Sequence, residues 1–433
     1  MESSDRLPPI AAIGILSVVA AAYVVNAMDR LVFPTLLPSL ATEYGFTLLA
    51  AGFQATIFTF GFGIAGIPGG FLLDRMSRKA MAIVGICVYS VCTVLTGLSV
   101  GFYDMAVYRI LSGIGEALQN TAIFTMAGAY FAHNRTLAFG LLNTAYGIGS
   151  FIAPRWGAYL VAQTGSWRLP LYVYGGIGLI AALAMLLLVP KRFSEWRAGD
   201  VVTVFDDERH IPERLVNRNT MLVALVAITG GIAGFGYLGL YPTFLRTELG
   251  FSVEQAGAAA SMFGAGALMG LLCGYLADRI NQKWLSIVSL AALSLVGFAL
   301  FNVVTTPFWQ GAFSFLQGTV QSGFFYVNNY SLIQRSVRSK FTGHASGLFV
   351  TCIYLPAAFS GYIFAGLVES VGWHRAALLQ MCLLLIVPII AMLFFDLGKT
   401  SCKTKPQVAP MRGTTLGNLV RRREQSYFNN IDQ

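Results

Sequence analysis

The sequence predicts an all-α membrane protein, with twelve transmembrane helices arranged as two pseudo-symmetric six-helix bundles. Three observations predict it. Apolar residues fill 56% of the 433 positions and charged residues 11%, against roughly 25% charged in soluble domains, and mean hydropathy is +0.65. Apolar runs repeatedly exceed the ~18 residues that cross a bilayer core, and they are too long and too evenly apolar for barrel strands. A short charged phrase occurs twice, close to half a chain apart. Gly70-Phe71-Leu72-Leu73-Asp74-Arg75 with Arg78-Lys79 returns as Gly274-Tyr275-Leu276-Ala277-Asp278-Arg279 with Lys283.

The spans are expected at 10–34, 47–71, 80–100, 104–127, 136–162, 170–190, 220–246, 253–277, 284–304, 308–332, 341–367 and 374–396. The first follows a leader, Met1 to Arg6, that is not net positive, and it runs past signal-peptide length, so it reads as a retained helix. Residues 1–190 form the first bundle and 220–396 the second. Between them lies a polar linker, 191–219, that begins after Pro190 and mixes Arg192, Glu195, Arg197, Asp206 and Arg209. The tail, 397–433, carries Arg421-Arg422-Arg423 and is expected to be disordered and to touch anionic lipid. Two fainter echoes support duplication. Gly165-Ser166-Trp167-Arg168 precedes span six as Gly372-Trp373-His374-Arg375 precedes span twelve, and Ala138-Phe139-Gly140-Leu141 returns as Ala345-Ser346-Gly347-Leu348.

Charge placement orients the chain. Twenty-three of the 29 Lys and Arg fall on the side holding both termini, three (Arg168, Arg246, Arg375) fall opposite, and three (Arg30, Arg109, Arg155) fall within spans. Basic residues stay cytoplasmic, so both termini are expected inside a cell membrane of the bacterial inner type. The net +9 then reflects topology, with no nucleic-acid partner. The six cysteines are scattered, with no CxxC or Cys/His spacing, so no disulfide framework, metal or cofactor is indicated. Asn134-Arg135-Thr136 matches a glycosylation sequon but falls on the inner side and reads as chance.

An ionised carboxylate within a span costs about 2.5–3.5 kcal/mol on the lenient insertion scale and marks function by default. Asp29 and Glu116 are the deep candidates. In span four Arg109, Ser112, Gly113, Glu116 and Asn120 share one helix face, expected to look into a polar cavity. Arg109 and Glu116 stand two turns apart, about 10.5 Å of rise, which disfavours a direct pair. Asp29 and Arg30 follow Asn26 in span one. They lie near the midplane if the helix continues through Pro34, or in the outer third if it ends near Phe33.

Span ten places Gln317, Gln321 and Asn328 on one face, and span seven offers Tyr237 and Tyr241 at helical spacing. These read either as substrate contacts or as helix–helix hydrogen bonds. Arg155 in span five reads either as a second anion contact or as an outer-end snorkel. Asp74 and Asp278 are expected to cap neighbouring helix N-termini. Arg75, Arg78, Lys79 and Arg279 are expected to bind helix C-termini or acidic partners and, with Arg109, to form the gating set.

The duplicated G-x-L-x-D-R-x-x-R-K loop, the twelve spans and the charged linker resemble the major facilitator superfamily over about residues 10–396. Ser77 and Asn281 stand where Gly is usual, and Gln282 where a basic residue is usual. Two similar membrane-embedded halves are how many secondary transporters are built. The pair of patterns N-x-x-D-R in span one and R-x-x-x-G-x-G-E in span four is similar to the anion:cation symporter group, and also resembles the Spinster-like lipid transporters. In the former, the matching Arg holds an organic anion and the matching Asp and Glu carry protons.

The resemblance therefore puts the anion on Arg30 and proton coupling on Asp29 and Glu116. Asn26, Tyr237, Tyr241, Gln317, Gln321 and Asn328 complete the expected substrate site. Span five nearly matches the superfamily's antiporter signature through Gly140, Gly149, Ala153-Pro154 and Gly157, and also resembles the symporter group's Ala-Pro segment. The expected function is proton-coupled symport of a small organic anion, a sugar acid or an aromatic acid, by a monomer working through alternating access. The alternative is proton-driven export of a drug-like or lysolipid substrate. An enzyme is disfavoured, because no span brings a nucleophile and base together and His133, His210, His344 and His374 show no metal spacing.

Overall fold

The computed structural model describes residues 7–131, 135–196, 210–277, 279–338 and 341–400, and every regular element among them is helical. Much of the linker, the tail beyond Thr400, Asp278 and the side chain of Asp74 lie outside the described residues. Each expected span falls on a helix or a broken helix.

Helix α1 (Pro9–Tyr44) opens with Pro at its first position and ends on Gly45, whose φ of 65° supplies the left-handed C-cap. It runs unbroken through Pro34 and Pro38. Asp29 and Arg30 are therefore mid-helix, and the shorter reading of span one is excluded. Span two is divided at Ile57 into α2 (Leu48–Thr56) and α3 (Phe58–Arg75). Next come α4 (Arg78–Gly97), capped by the Ser77 hydroxyl, α5 (Phe102–Tyr130), α6 (Arg135–Thr164), α7 (Arg168–Leu188) and the single turn α8 (Lys191–Ser194).

The second half repeats this with α9 (Arg218–Thr247), then α10 (Val253–Ala267) and α11 (Gly270–Ala277), bent by 41°, then α12 (Gln282–Asn302), capped by Asn281. Ser77 and Asn281 thus stand where a helix N-cap is needed, which is what their side chains supply. Span ten is α13 (Pro307–Gly318), a π-helical stretch at Thr319–Tyr326 and α14 (Val327–Arg335). α15 (Thr342–Ala357), α16 (Ser360–Ala377), a π-turn at Leu378–Leu383 and α17 (Leu384–Leu393) close the chain.

Seven stretches of the described residues are long and apolar enough to cross a membrane, eight if α10 and α11 count as one. The last, Thr342–Leu393, is 52 residues, too long for one crossing, and Gly372 at φ 80° turns the chain within it.

The halves pack alike. α1 lies along α6 as α9 lies along α15 and α16; α3 crosses α5 as α10 crosses α13; α4 lines α7 as α12 lines α17. The crossings repeat at the level of single atoms. A Cβ on Gly61 would stand 1.9 Å from the Ile110 carbonyl oxygen, and one on Gly113 1.9 Å from that of Phe58. Gly266 and Gly318 make the same approaches to Phe315 and Phe263, at 2.0 and 1.9 Å. Small residues let helices in a bilayer approach to backbone contact, which substitutes for the hydrophobic drive lacking there. Lys79 Nζ donates to the Leu186 carbonyl at 2.7 Å, and Lys283 Nζ to those of Leu393 and Phe395 at 2.6 and 3.0 Å. In each half a repeated-loop lysine closes the C-terminus of the last helix.

The halves meet along two seams, α2–α3 against α15–α16 and α6 against α10–α11. Contacts run the length of both, from Gly52 against Gly361 to Gly66 against Val350, and from Gly257 against Pro154 to Gly140 against Leu271. Between them remain two voids of about 10 Å³ each. Each has room for about one water molecule, so among the described residues the halves are packed together along both seams.

Candidate functional site

The first void is lined by Arg30, Leu31 and Pro34 of α1, Ala55, Thr56 and Phe58 of the broken second span, and Phe235, Leu238 and Gly239 of α9. Arg30 is 4% exposed, and its Nε donates to Glu116 Oε2 at 2.8 Å. Its Nη2 donates to Asn26 Oδ1 at 3.2 Å, and Asn26 Nδ2 in turn reaches Gln119 Oε1 at 2.9 Å. Gln119 is anchored to the Ala22 carbonyl at 3.0 Å. The guanidinium lies over Phe62, 4.7 Å from the ring centre, with Tyr146 at 5.9 Å. Glu116 is fully buried and its second oxygen, Oε1, has no hydrogen-bond partner.

Asp29 turns the other way. Successive residues of a helix diverge by about 100°, so Arg30 faces the void while Asp29 enters the bundle between α4 and α5. There it accepts the Thr93 hydroxyl and the Ser112 hydroxyl, the latter at 2.8 Å, and it lines neither void. Arg109 is also buried, sandwiched 4.2 Å from the Phe33 ring and 4.9 Å from Phe58, with Nε and Nη2 unpaired. The α5 stripe thus faces packed helices of its own half, with Arg109, Ser112 and Glu116 buried there and not lining either void.

In the second half, Tyr237 and Tyr241 line the second void with rings 4.8 Å apart, but their hydroxyls are engaged. Tyr237 meets Ser314 Oγ at 2.9 Å and Tyr241 donates to Gln310 Oε1 at 2.9 Å. Gln317 donates to Gln321 Oε1 at 3.3 Å, beside Gly234. Asn328 is separated from them: the π-helical stretch adds a residue to the turn and rotates the remainder of span ten, so Asn328 donates to the Gln282 carbonyl at 2.9 Å near the basic end.

Of the gating set, Arg78 and Lys79 present backbone N–H groups to the Glu195 carboxylate at 3.2 and 3.1 Å. Arg78 Nη1 also reaches the Trp196 carbonyl at 2.8 Å. Arg75 is exposed at the end of α3, and Arg279 folds over and hydrogen-bonds Tyr275. Sequence reasoning placed Ser112 on the span-four stripe but missed Thr93, Gln119, Gln310 and Gln380, the last donating to the Ile232 and Ser360 carbonyls at 3.1 Å. It also missed Thr56, whose hydroxyl donates to the Ala358 carbonyl at 2.8 Å and accepts from Gly361 N at 3.2 Å across the seam. Ser and Thr in spans usually satisfy themselves on the i−4 carbonyl, as Thr121 and Thr125 do on Ala117 and Thr121, which disguises the others.

Two duplicated helical halves, the first holding a buried charge cluster whose Arg30 reaches the void between them, are the build of a secondary membrane transporter. The chain belongs to the Major Facilitator Superfamily, whose family model matches residues 19–361. It is similar to the cis,cis-muconate transport protein of Acinetobacter baylyi, 26% identical over 72% of this chain and 76% of that one. It is also similar to the probable sulfoacetate transporter of Cupriavidus necator, 25% identical over 88% and 93%. A gallate transporter of Pseudomonas putida is 27% identical over 62% and 69%. Among solved structures, a bacterial homologue of the human lysosomal transporter Spinster superposes with a TM-score of 0.70 at 16% identity, over 90% of this chain and 99% of that one. A D-xylose–proton symporter does so with 0.71 at 17%, over 92% and 99%. At that identity these two speak for the fold.

Proposed function

We propose that this transporter carries a small organic carboxylate together with protons, by alternating access to a site at Arg30. The observation that carries the reading is the 2.8 Å Arg30–Glu116 pair with its idle Oε1. Arg30, Arg109, Asp29 and Glu116 sum to zero charge. A carboxylate brought to Arg30 would leave this low-dielectric cluster one charge negative and would compete with Glu116 for the same guanidinium. A proton on Glu116 removes both objections: it restores neutrality and releases Arg30's fork to the incoming anion. Substrate and proton then favour each other, which is the requirement for symport. With one proton per monovalent anion the loaded assembly carries no net charge, so the pH gradient is the driving force, about 1.4 kcal/mol or tenfold accumulation per pH unit.

Within that class we favour an aromatic or unsaturated acid over a sugar acid. Arg30 lies over Phe62, Tyr354 stacks on Phe62 at 4.3 Å, and Phe235 lines the void. Among the described lining hydroxyls only that of Thr35 lacks a partner, so a polyol would find few mates for its own hydroxyls. The muconate, gallate and benzoate transporters among the relatives suit such an acid, while the probable L-galactonate and hexuronate transporters among them make sugar acids the competing class. The protein is proposed to work as a monomer, its basic end cytoplasmic.

Proteoliposomes test this. Benzoate uptake should rise when the exterior is acidified and fall as exterior pH climbs, with galactonate a poor competitor. Stimulation by interior acid instead would support export and overturn symport. Galactonate competing better than benzoate would overturn the aromatic class.

A further inference from the structure

Arg155 takes no part in the site above. It is exposed on α6, and among the described residues it makes no hydrogen bond or ion pair. Its direction follows from its neighbours. Pro154 and Ala158 face Gly257 of α10, and Gly149 and Gly157 face α1 at Val24 and Val32. Arg155, about 100° round the helix from Pro154, points away from both voids, on the flank with the exposed Ile148 and Tyr159.

Its depth is set by the same contacts. Gly149 and Gly157 bracket it at the level of α1 that holds Arg30. It lies about 14 Å inward of the end of its own helix at Thr164, but only about 6 Å beneath the start of α10, which is shorter there. A guanidinium on that flank cannot be deprotonated and, among the described residues, meets no carboxylate, so an anion at headgroup depth, within reach of its snorkelling side chain, would satisfy it. Water-soluble anions do not reach a lipid-facing flank, whereas a phospholipid phosphate does. The neighbouring flank of α10 carries the part-exposed Ala258 and Ala265, whose small side chains leave acyl chains room, and the exposed Glu254 one turn nearer the surface.

We propose that Arg155 and Glu254 form a headgroup site on the lipid side of the α6–α10 seam, taking a phospholipid that bears a phosphate and a primary ammonium. The phosphate pairs with Arg155 and the ammonium with Glu254. The lipid spans helices from both halves at a seam that must part during transport, so its occupancy ties the two together.

Native mass spectrometry of the purified full-length protein tests it, with phosphatidylethanolamine, phosphatidylglycerol and diacylglycerol of matched chains as probes. Wild type should retain one more phosphatidylethanolamine than Arg155→Gln, with at least tenfold higher apparent affinity, and Arg155→Lys should recover most of it. Diacylglycerol should not distinguish the variants. Glu254→Gln should raise phosphatidylglycerol binding relative to phosphatidylethanolamine. Equal phosphatidylethanolamine retention by wild type and Arg155→Gln would overturn the site, and an unchanged headgroup ratio in Glu254→Gln would overturn the ammonium assignment. Arg155→Gln removes a charge from hydrocarbon, so a folding defect is not expected, and its melting temperature without lipid checks that.

Discussion

Glu116→Gln is the most informative substitution, because the structure sets both its cost and its remedy. The change keeps the shape of the side chain but takes the counter-charge from a guanidinium that is 4% exposed. Breaking a buried ion pair by removing one partner costs about 3–5 kcal/mol. Gln still offers Arg30 an acceptor oxygen, so the lower end, about 3 kcal/mol, applies. For a half-transporter of this length that corresponds to a fall of about 6–12 °C in melting temperature. An anion on Arg30 would supply the missing charge, and a ligand at a hundred times its Kd contributes about 2.7 kcal/mol. Benzoate should therefore restore nearly all the loss in Glu116→Gln and stabilise wild type less, since there it must displace Glu116. The assay is a thermal melt of purified protein with and without benzoate, run beside two transport measurements. Exchange should survive in Glu116→Gln while pH-driven accumulation disappears. A variant that melts like wild type and gains nothing from benzoate would refute the charge argument; one that still accumulates substrate on a pH gradient would refute coupling through Glu116.

Arg30→Ala should abolish benzoate stabilisation outright, and unchanged affinity would remove the anion from this site. Thr93→Val and Ser112→Ala each take one hydrogen bond from the buried Asp29 carboxylate and should each cost about 1.5–3 kcal/mol, read as a lowered melting temperature; no change would mean that Asp29 is held otherwise. Thr56→Val removes both seam hydrogen bonds, about 1 kcal/mol each. It should speed maleimide labelling of a cysteine placed at Leu238 several-fold, in a background lacking the native cysteines, and equal rates would deny Thr56 a latch role. Gly61→Ala and Gly266→Ala drive a Cβ into a facing carbonyl and should cost at least the 1–3 kcal/mol typical of overpacking. Gly270→Ala, with nothing within 4 Å, should be silent in the same melting assay.

The fold was legible because bilayer physics writes it in large letters: long apolar runs, one-sided basic loops and a repeated phrase. The deep charges were legible for the same reason, since Asp29, Arg30, Arg109 and Glu116 stand out against hydrocarbon. What the spacing did not convey is which charges meet. A helical wheel put Arg109 and Glu116 on one cavity-facing stripe, but Arg30 from another helix claims Glu116, and two phenylalanines close over Arg109. Asn328 was misplaced by a turn that periodicity assumes regular, since only the π-helical stretch in span ten reveals the rotation. The glycine crossings were equally hidden. Gly is frequent throughout this chain, and only the packed helices separate Gly61 and Gly266, where a Cβ would strike a facing backbone, from Gly270 and Gly274, where it would meet nothing within 4 Å.

The division of chemistry between the halves follows from these placements. The first half holds all four buried charges of the cluster, whereas the side chains that the second presents to the voids are aromatic rings with satisfied hydroxyls and apolar groups. On the proposed symport, a proton and an anion would therefore be loaded by one half without imposing any desolvation cost on the other. The second half has only to close over a neutral assembly, and a neutral, ring-lined contact is what allows the seams to shut. An unneutralised Arg30, or an anion bound beside an ionised Glu116, would leave a net charge in the closing interface and hold it apart. On the proposed symport, closure then adds to the coupling set at binding: the empty neutral cluster closes, as the Thr56 hydroxyl on the Ala358 carbonyl shows, and so would the cluster holding both ions, whereas either ion alone would hold the seam apart.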